Sequence, residues 1–186
     1  IYHSQTGRIE MSELKLPPLP QSEGFLGIVR KYQHSVRIGD RIYLFGGTQN
    51  PKEGRGMAVN KVDVVDFEKN AVYSAAPIRI PRYHFNTMVL EKFGRKYVLL
   101  LGGGMNDATL AINPEIYDIE KNVSYLLEEI DVHSLDHDRI SIPDGNKIWL
   151  IGGDTIEAPV GLEIPSNKVY LIEFDEDTTA SDQEKH

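Results

Sequence analysis

The sequence predicts an all-β protein built from repeated four-stranded antiparallel sheets, and three observations lead to this prediction. The chain of 186 residues contains 16 glycines and 10 prolines, as many short strands joined by turns require. An apolar strand followed by two glycines occurs three times along the chain. A polar turn that begins with an aspartate follows the first two glycine pairs, so the chain consists of repeats of about fifty residues.

The first repeated element is an apolar strand that ends in two glycines, at residues 46–47, 102–103 and 152–153. The second glycines of the pairs are 56 and 50 residues apart. A strand end that packs tightly against a neighbouring sheet leaves no room for a Cβ atom, and glycine also adopts positive φ without strain. We therefore predict structural roles for all of these glycines: Gly46, Gly47, Gly102, Gly103, Gly152 and Gly153.

The second repeated element is a strand, a polar turn and a further strand. Asp66 is followed by Phe-Glu-Lys-Asn-Ala-Val-Tyr, and Asp118 is followed by Ile-Glu-Lys-Asn-Val-Ser-Tyr. Six of the eight positions that start with each aspartate are identical or conservatively exchanged. A third copy begins at residues 168–175 and continues into an acidic segment. Because both elements recur in one order, the repeat is not a chance alignment.

Each repeat is predicted to hold four strands, which we denote a, b, c and d in chain order. The glycine pair follows strand b, and the aspartate lies in strand c. The apolar residues of strand b are almost continuous, which predicts burial on both faces of the sheet. The predicted strands are 32–38, 41–45, 61–67 and 71–75 in the first repeat, 84–90, 96–101, 115–119 and 123–127 in the second, and strands a to c only in the third.

These residues resemble the repeats of the Kelch family. The family's pattern is an apolar strand with two glycines, a strand that carries Tyr and Asp, a later aromatic residue, and an Arg-X-Gly-His-like segment that opens the next repeat. Residues 43–47, Asp66 and residues 81–84 match this pattern. The sequence departs from it in three respects: Tyr73 and Tyr125 replace the usual tryptophan one position late, the glycine before His84 is missing, and the single Trp149 lies in strand b.

The resemblance covers residues 30–175 and implies blades of a Kelch-type β-propeller, about three of them in this chain. Propellers close with about 4–8 blades. We therefore expect the chain to form part of a larger propeller, which further blades or other chains complete. The expected organisation is the end of a preceding blade and a linker at 1–20, Kelch repeats at 21–76 and 77–128, a partial repeat at 129–175 and an acidic tail at 176–186.

Composition and charge disfavour several classes of function. The formal net charge of -8 does not favour a nucleic acid as partner, because surfaces that bind nucleic acids are normally basic. The chain has no cysteine, which excludes disulfides and zinc–thiolate sites within it and slightly favours an intracellular location. No run of about 18 apolar residues occurs, so no membrane span is predicted.

Signatures of catalysis are weak, and we predict no catalytic residue, no metal site and no cofactor. His133 and His137 would share one side of a helix, but they lie where strand a of the third repeat is expected, and there they would be about 13 Å apart. Gly102-Gly-Gly104 lacks the Lys-Ser/Thr that follows a phosphate-binding loop. Asn122-Val-Ser124 fits a glycosylation acceptor, but it begins in the repeated turn, which is the role we expect for it.

The connections between strands b and c form the predicted binding surface. They span residues 48–59, 104–112 and 154–166, and the repeat places them on one propeller face. Long loops on a rigid scaffold are where binding concentrates. The third connection alternates apolar with polar or small residues, which predicts that these residues pack onto the blade, for example as an extra strand pair, contact a partner or are disordered. The predicted binding residues are Lys52, Arg55, Met105, Asn106, Asp107, Ile156, Val160 and Leu162.

Three hypotheses of function follow. The first is a non-catalytic scaffold that binds a partner protein through the loops on one propeller face. The second, implied by the resemblance, is a Kelch-propeller enzyme that acts on a sugar, similar to sialic acid mutarotases, with Arg82, His34 and His84 as candidate residues. Galactose oxidases, which are similar in fold, use a Tyr–Cys crosslink at their copper site, and this chain has no cysteine. The third is a substrate receptor of a ubiquitin ligase or a regulatory subunit of a larger complex, which no residue selects.

Overall fold

The computed structural model describes the chain as a series of strands and turns. It covers residues 2–3, 8–9, 30–49, 56–92, 94–106, 111, 113–127, 139–144, 147–157, 162–165 and 167–173. No helix occurs within these ranges. The strands are, in chain order, β1 (Tyr2–His3), β2 (Arg8–Ile9), β3 (Arg30–Lys31), β4 (His34–Ile38), β5 (Arg41–Phe45), β6 (Thr48–Gln49), β7 (Met57–Ala58), β8 (Val62–Asp66), β9 (Ala71–Ala75), β10 (Asn86–Lys92), β11 (Arg95–Leu101), β12 (Glu115–Asp118), β13 (Val123–Leu126), β14 (Ile140–Asp144), β15 (Lys147–Ile151), β16 (Asp154–Glu157), β17 (Leu162–Pro165) and β18 (Val169–Glu173).

Three antiparallel sheets form the body of the chain, and we call them the first, second and third blade. Their strand orders are β4-β5-β8-β9, β10-β11-β12-β13 and β14-β15-β18. Neighbouring strands within each blade are antiparallel and follow one another in chain order. The prediction of an all-β chain is confirmed. Strands a to d are present in the first two blades, with ends within two residues of those predicted, and strands a to c are present in the third.

The repeated aspartate organises the turn between strands c and d. Asp66, the last residue of β8, accepts a hydrogen bond from the backbone N–H of Lys69 at 3.0 Å. Asn70 then adopts a φ of 47°, in the left-handed region that asparagine tolerates better than most residues. The second blade repeats the turn with Asp118 and Asn122, whose φ is 52°. The shared Asp-X-Glu-Lys-Asn sequence is therefore explained by the geometry of this turn.

The first glycine pair lies where strand b meets two neighbouring segments. Gly46 and Gly47 have φ values of 54° and 92°. A Cβ atom on Gly46 would lie 2.5 Å from the carbonyl oxygen of Arg82 and 2.9 Å from the ring of Phe85, both in the segment that leads into the second blade. A Cβ atom on Gly47 would lie 2.5 Å from the carbonyl oxygen of Lys31. Both steric room and backbone conformation therefore require glycine here.

Two apolar cores join the three blades in a row. Strand β11 contributes to both, because successive side chains of a strand point to opposite faces. It is buried on both faces over residues 98–101, as predicted for strand b. The core between the first and second blades contains Tyr43, Phe45, Val62, Val64, Ile78, Phe85, Val98, Leu100 and Tyr117. The core between the second and third blades contains Met88, Leu99, Leu101, Ile148 and Leu150.

Strand b of the third blade is buried on one face. Ile148 and Leu150 are completely buried against the second blade, whereas Trp149 between them is 37% exposed. The prediction that strand b is buried on both faces is therefore wrong for β15. The reason is that no described residue forms a further blade over the face that carries Trp149.

The connections between strands b and c carry short strands of their own. In the first blade β6 and β7 form a three-stranded sheet with β3, and in the third blade β16 pairs with β17. They lie at the end of the blades that holds the glycine pairs, which we call the glycine end. The turns between strands a and b and between strands c and d lie at the opposite end, which we call the turn end. There the backbone N–H of Phe67 donates to the carbonyl of Asp40 at 2.9 Å.

Candidate functional site

The first connection presents an apolar side chain to solvent. Met57 on β7 is 56% exposed, whereas its neighbour Ala58 is buried. The backbone of Met57 pairs with that of Gln49 on β6, so its side chain extends from a hydrogen-bonded strand. The predicted binding residues Lys52 and Arg55 belong to the same connection and lie outside the described residues.

The second connection is bound to the first by a side-chain amide. Asn106 Oδ1 accepts a hydrogen bond from the backbone N–H of Ala58 at 2.5 Å, and Asn106 Nδ2 donates to the carbonyl of Ala58 at 3.3 Å. The amide thus pairs with the open edge of β7 as another strand would. The predicted residue Met105 is half-buried beside it, and Asp107 lies outside the described residues. Asn106 therefore holds the two connections together, and its predicted role in binding stays a prediction.

The third connection contains the strand pair that its sequence pattern allowed, and the packing of this pair onto the blade stays a prediction. In the register of β16 and β17, Ile156 is opposite Glu163 and Leu162 is opposite Glu157. The backbone of these residues is described and their side-chain contacts are not. The predicted residue Val160 lies between the two strands, outside the described residues. A partner contact through Ile156, Val160 and Leu162 therefore remains a prediction.

Two stacked aromatic rings lie where the chain enters strand a of the first and second blades. Tyr32 and His84 occupy equivalent positions of the two repeats, and their ring centroids are 4.0 Å apart with an angle of 28° between the planes. Both residues have positive φ, 56° and 52°. Tyr32 is 53% exposed. Non-glycine residues in this backbone region concentrate at functional sites, so the ring pair adds to the candidate surface.

Arg82, a candidate for sugar chemistry, is completely buried. Its Nη1 donates to the carbonyl of Gly102 at 3.0 Å, and its Nη2 donates to the carbonyl of Asn113 at 3.0 Å and to Glu115 Oε1 at 2.7 Å. Burial lowers the pKa of the guanidinium, and the charge of Glu115 partly offsets this shift. A side chain with no exposed surface and these partners does not contact a substrate in this arrangement.

The carboxylate of Glu115 accepts four hydrogen bonds, one of them from the buried guanidinium of Arg82. Besides Arg82, the backbone N–H groups of Arg79 and Ile80 donate to its carboxylate at 2.7 and 2.9 Å. The hydroxyl of Ser124 donates at 2.7 Å. Arg79 and Ile80 belong to the linker that follows the first blade, so this carboxylate fixes the linker to the second blade. The same network uses Ser124 of the Asn122-Val-Ser124 triplet, which is buried.

The two histidines named with Arg82 also take part in contacts between repeats. His34 Nδ1 lies 3.3 Å from the hydroxyl of Thr87, and its ring centroid is 5.4 Å from that of Phe85. The backbone N–H of His84 donates to the carbonyl of Tyr32 at 3.2 Å. Within the described part of the chain, no group of three or more acidic or histidine side chains is placed to hold a metal ion, and no helix could cross a membrane. His133 and His137 lie outside that part.

Comparison with known proteins identifies the repeats. No family model matches the sequence. Kelch-like protein 15 of Gallus gallus is 28% identical over 143 residues, which are 77% of this chain and 26% of that protein. The solved structure of YjhT, a Kelch-type propeller, superposes with a TM-score of 0.64 at 20% identity and covers 81% of this chain. The repeats are Kelch-type propeller blades.

The chain matches only part of the length of each of these two proteins. The chain spans about a quarter of the length of Kelch-like protein 15 and about half of that of YjhT, at 26% and 51%. The match to YjhT, at 20% identity, shows the fold. The resemblance to Kelch repeats that the sequence predicted is therefore confirmed at the level of the propeller fold.

The sequence pattern led to the connections of the Kelch blades but not to two exposed apolar residues of the first blade, Met57 within a connection and Tyr32 just before strand a. Met57 and Tyr32 are the exposed apolar residues that the structure describes at the glycine end of the first blade. Tyr32 could have been found from its equivalence to His84, since both stand two residues before the first residue of strand a, His34 or Asn86. Met57 carries no such signal, because its exposure depends on the pairing of β6 with β7. We call Tyr32, Met57, Met105 and Asn106 the glycine-end surface.

Proposed function

We propose that this chain is a non-catalytic scaffold that binds a partner protein through the glycine-end surface and the connections around it. The observation that carries the proposal is that the described residues of the three connections lie at one end of the blades, where β6 pairs with β7 and β16 pairs with β17. Exposed Met57 and Tyr32 supply apolar contact area on this rigid support. The match to Kelch-like protein 15 supports a role of this kind.

The alternative of a sugar-acting enzyme has less support from the same residues. A catalytic group must reach the reacting atoms, and Arg82 is completely buried in contacts with Gly102, Asn113 and Glu115. His34 and His84 contribute to contacts between repeats. A role as substrate receptor or regulatory subunit of a larger complex is a special case of the binding proposal.

The proposal is tested by changing one exposed apolar residue at each end of the first blade. Met57→Asp places a charge on the glycine-end surface, and Phe67→Asp places the same charge at the turn end, where Phe67 is 37% exposed. The two immobilised variants and the unchanged protein are compared for the cellular proteins that they retain, by quantitative mass spectrometry. We expect at least one retained protein to fall by about tenfold or more with Met57→Asp and to stay with Phe67→Asp.

Melting temperatures of the three proteins serve as the control, and we expect them to agree within a few degrees. The same retained proteins on all three samples would contradict binding through the glycine end. Turnover of a small sugar by the purified chain would contradict the non-catalytic proposal directly.

A further inference from the structure

The methionines of this chain differ widely in exposure. The chain contains four methionines and no cysteine, so thioethers are the oxidisable sulfur groups that it offers. Met57 on β7 is 56% exposed, Met105 is half-buried, and Met88 in the core between the second and third blades is 3% exposed. Met11 lies outside the described residues. An oxidant in solution therefore reaches Met57 more readily than the other two described methionines.

The exposed side chain of Met57 extends from a backbone that is fixed on both sides. On one side β7 pairs with β6, where Met57 is opposite Gln49. On the other side the amide of Asn106 accepts a hydrogen bond from the backbone N–H of Ala58 and donates to its carbonyl, at 2.5 and 3.3 Å. Ala58 itself is buried. The side chain of Met57 can therefore change chemically without displacing this strand or a core residue.

Oxidation by a peroxide converts this apolar side chain into a polar one. The O–O bond of hydrogen peroxide breaks, an S–O bond forms on the thioether, the sulfur loses two electrons and the peroxide is reduced to water. The product is methionine sulfoxide, which disrupts apolar contacts that the thioether makes. Methionine sulfoxide reductases reverse the change: a dithiol supplies two electrons and becomes a disulfide, and the oxygen leaves as water.

We propose that Met57 is a redox-sensitive switch of the glycine-end surface: the thioether form binds the partner protein, and oxidation by a peroxide to the sulfoxide releases it. This assignment rests on the proposed function, because it gives a means of regulation to the same surface. The sulfoxide is a polar group, and placing it in an apolar contact without a hydrogen-bond partner weakens that contact. Met88 is buried in a core between blades, so oxidation confined to Met57 leaves the blades joined.

The order in which the methionines are oxidised is the first measurement. The purified chain is treated with hydrogen peroxide for increasing times, the reaction is stopped with free methionine, and the digested peptides are analysed by mass spectrometry. We expect Met57 to gain one oxygen atom about tenfold faster than Met88 or more, with Met105 between them. Equal rates for Met57 and Met88 would overturn the proposal, because the switch requires a folded chain in which only the exposed sulfur reacts.

The effect of oxidation on binding is measured within each variant. Immobilised protein is divided in two, one half is treated with hydrogen peroxide until Met57 is converted, and the cellular proteins retained by the two halves are compared. For the unchanged chain we expect at least one retained protein to fall by about tenfold or more. Met57→Leu has no sulfur at this position, so its two halves should retain equal amounts, whatever the starting level. Met105→Leu is the matched control, and its treated half should lose the protein as the unchanged chain does.

Two outcomes of this comparison would overturn the assignment to Met57: a loss on treatment of Met57→Leu, or protection by Met105→Leu. Met57→Val replaces Met57→Leu where the latter does not fold. We expect the melting temperatures of the treated and untreated chain to agree within a few degrees, and a larger fall would overturn the switch, because release would then follow from unfolding. A methionine sulfoxide reductase with dithiothreitol should restore retention, and a loss that persists after Met57 is reduced would overturn reversible control.

The outcome also separates this switch from the proposed function itself. The comparison of Met57→Asp with Phe67→Asp tests binding through the glycine end without any oxidant. Retention that falls with Met57→Asp, yet stays constant when Met57 is fully converted to the sulfoxide, would overturn the switch alone. Retention that is the same for Met57→Asp and the unchanged chain would overturn both.

Discussion

At the scale of single residues, similar φ angles occur here in very different surroundings. Gly39 and Gly46 have φ values of 59° and 54°. A Cβ atom on Gly39 would meet nothing within 4 Å, whereas one on Gly46 would meet the carbonyl oxygen of Arg82 at 2.5 Å. Positive φ alone costs a non-glycine residue about 1–2 kcal/mol. The additional cost at Gly46 comes from a backbone atom that has no freedom to move away.

This pair of glycines gives the first prediction. We expect Gly39→Ala to lower the free energy of unfolding by about 1 kcal/mol, and Gly46→Ala to lower it by about 3 kcal/mol or more, because only the second change adds a clash with the segment leading into the second blade. Chemical denaturation of both variants measures the difference. Equal losses of stability would show that the first glycine pair is an ordinary turn.

At the scale of elements, one carboxylate stabilises each turn between strands c and d. The hydrogen bond from the backbone N–H of Lys69 is the main reason that the pKa of Asp66 is lowered, and the hydrogen bond and charge of Arg41 act in the same direction against burial. A carboxyl group whose pKa is lower in the folded state stabilises that state above its unfolded pKa, which is about 4. This contribution is lost as the pH falls through the folded pKa.

The turn therefore has a predictable dependence on acid. We expect the melting temperature of the unchanged protein to fall as the pH is lowered from about 5 towards 2, and to fall less steeply in Asp66→Asn, which has no proton to bind at this position. At neutral pH the variant should melt at the lower temperature. Parallel curves for the two proteins across this range would contradict a stabilising role for the ionised Asp66.

At the scale of the whole chain, the blades are joined by two apolar cores and by the buried pair of Arg82 and Glu115. This pair fixes the linker after the first blade to the second through the backbone N–H groups of Arg79 and Ile80. Removing one partner of a buried pair leaves an uncompensated charge. The pair therefore matters for the arrangement of the blades more than for the strands within either of them.

Glu115→Gln is expected to lower the free energy of unfolding by about 3–5 kcal/mol, because it leaves the guanidinium of Arg82 buried without a counter-charge. Lys147→Gln is the matched control. The pair of Lys147 and Glu173 is 37% and 55% exposed, so its loss should cost about 0–1 kcal/mol. Denaturation curves compare the two variants, and equal costs would contradict a special role for the buried pair.

The sequence predicted the blades because their signals are local and repeated. The Asp-X-Glu-Lys-Asn turn depends on neighbours in the chain and the glycine pairs recur at similar spacings, so strands a to d were placed within two residues in two blades. The burial of Arg82 was not predictable in the same way, because it depends on Glu115, 33 residues away. The exposure of Trp149 depends on whether a further blade covers it, which strand periodicity does not encode. The exposed residues of the glycine end depend on pairings within the connections, where pattern signals are weakest.

The amide of Asn106 has a consequence for how this surface could diversify. It completes the edge of β7 with a donor and an acceptor, and it comes from a different repeat than the strand that it completes. A substitution at position 106 would therefore change the shape presented by the first repeat without altering any of its residues. The surface at this end of the protein is therefore shared between two neighbouring repeats, although each repeat forms its own blade.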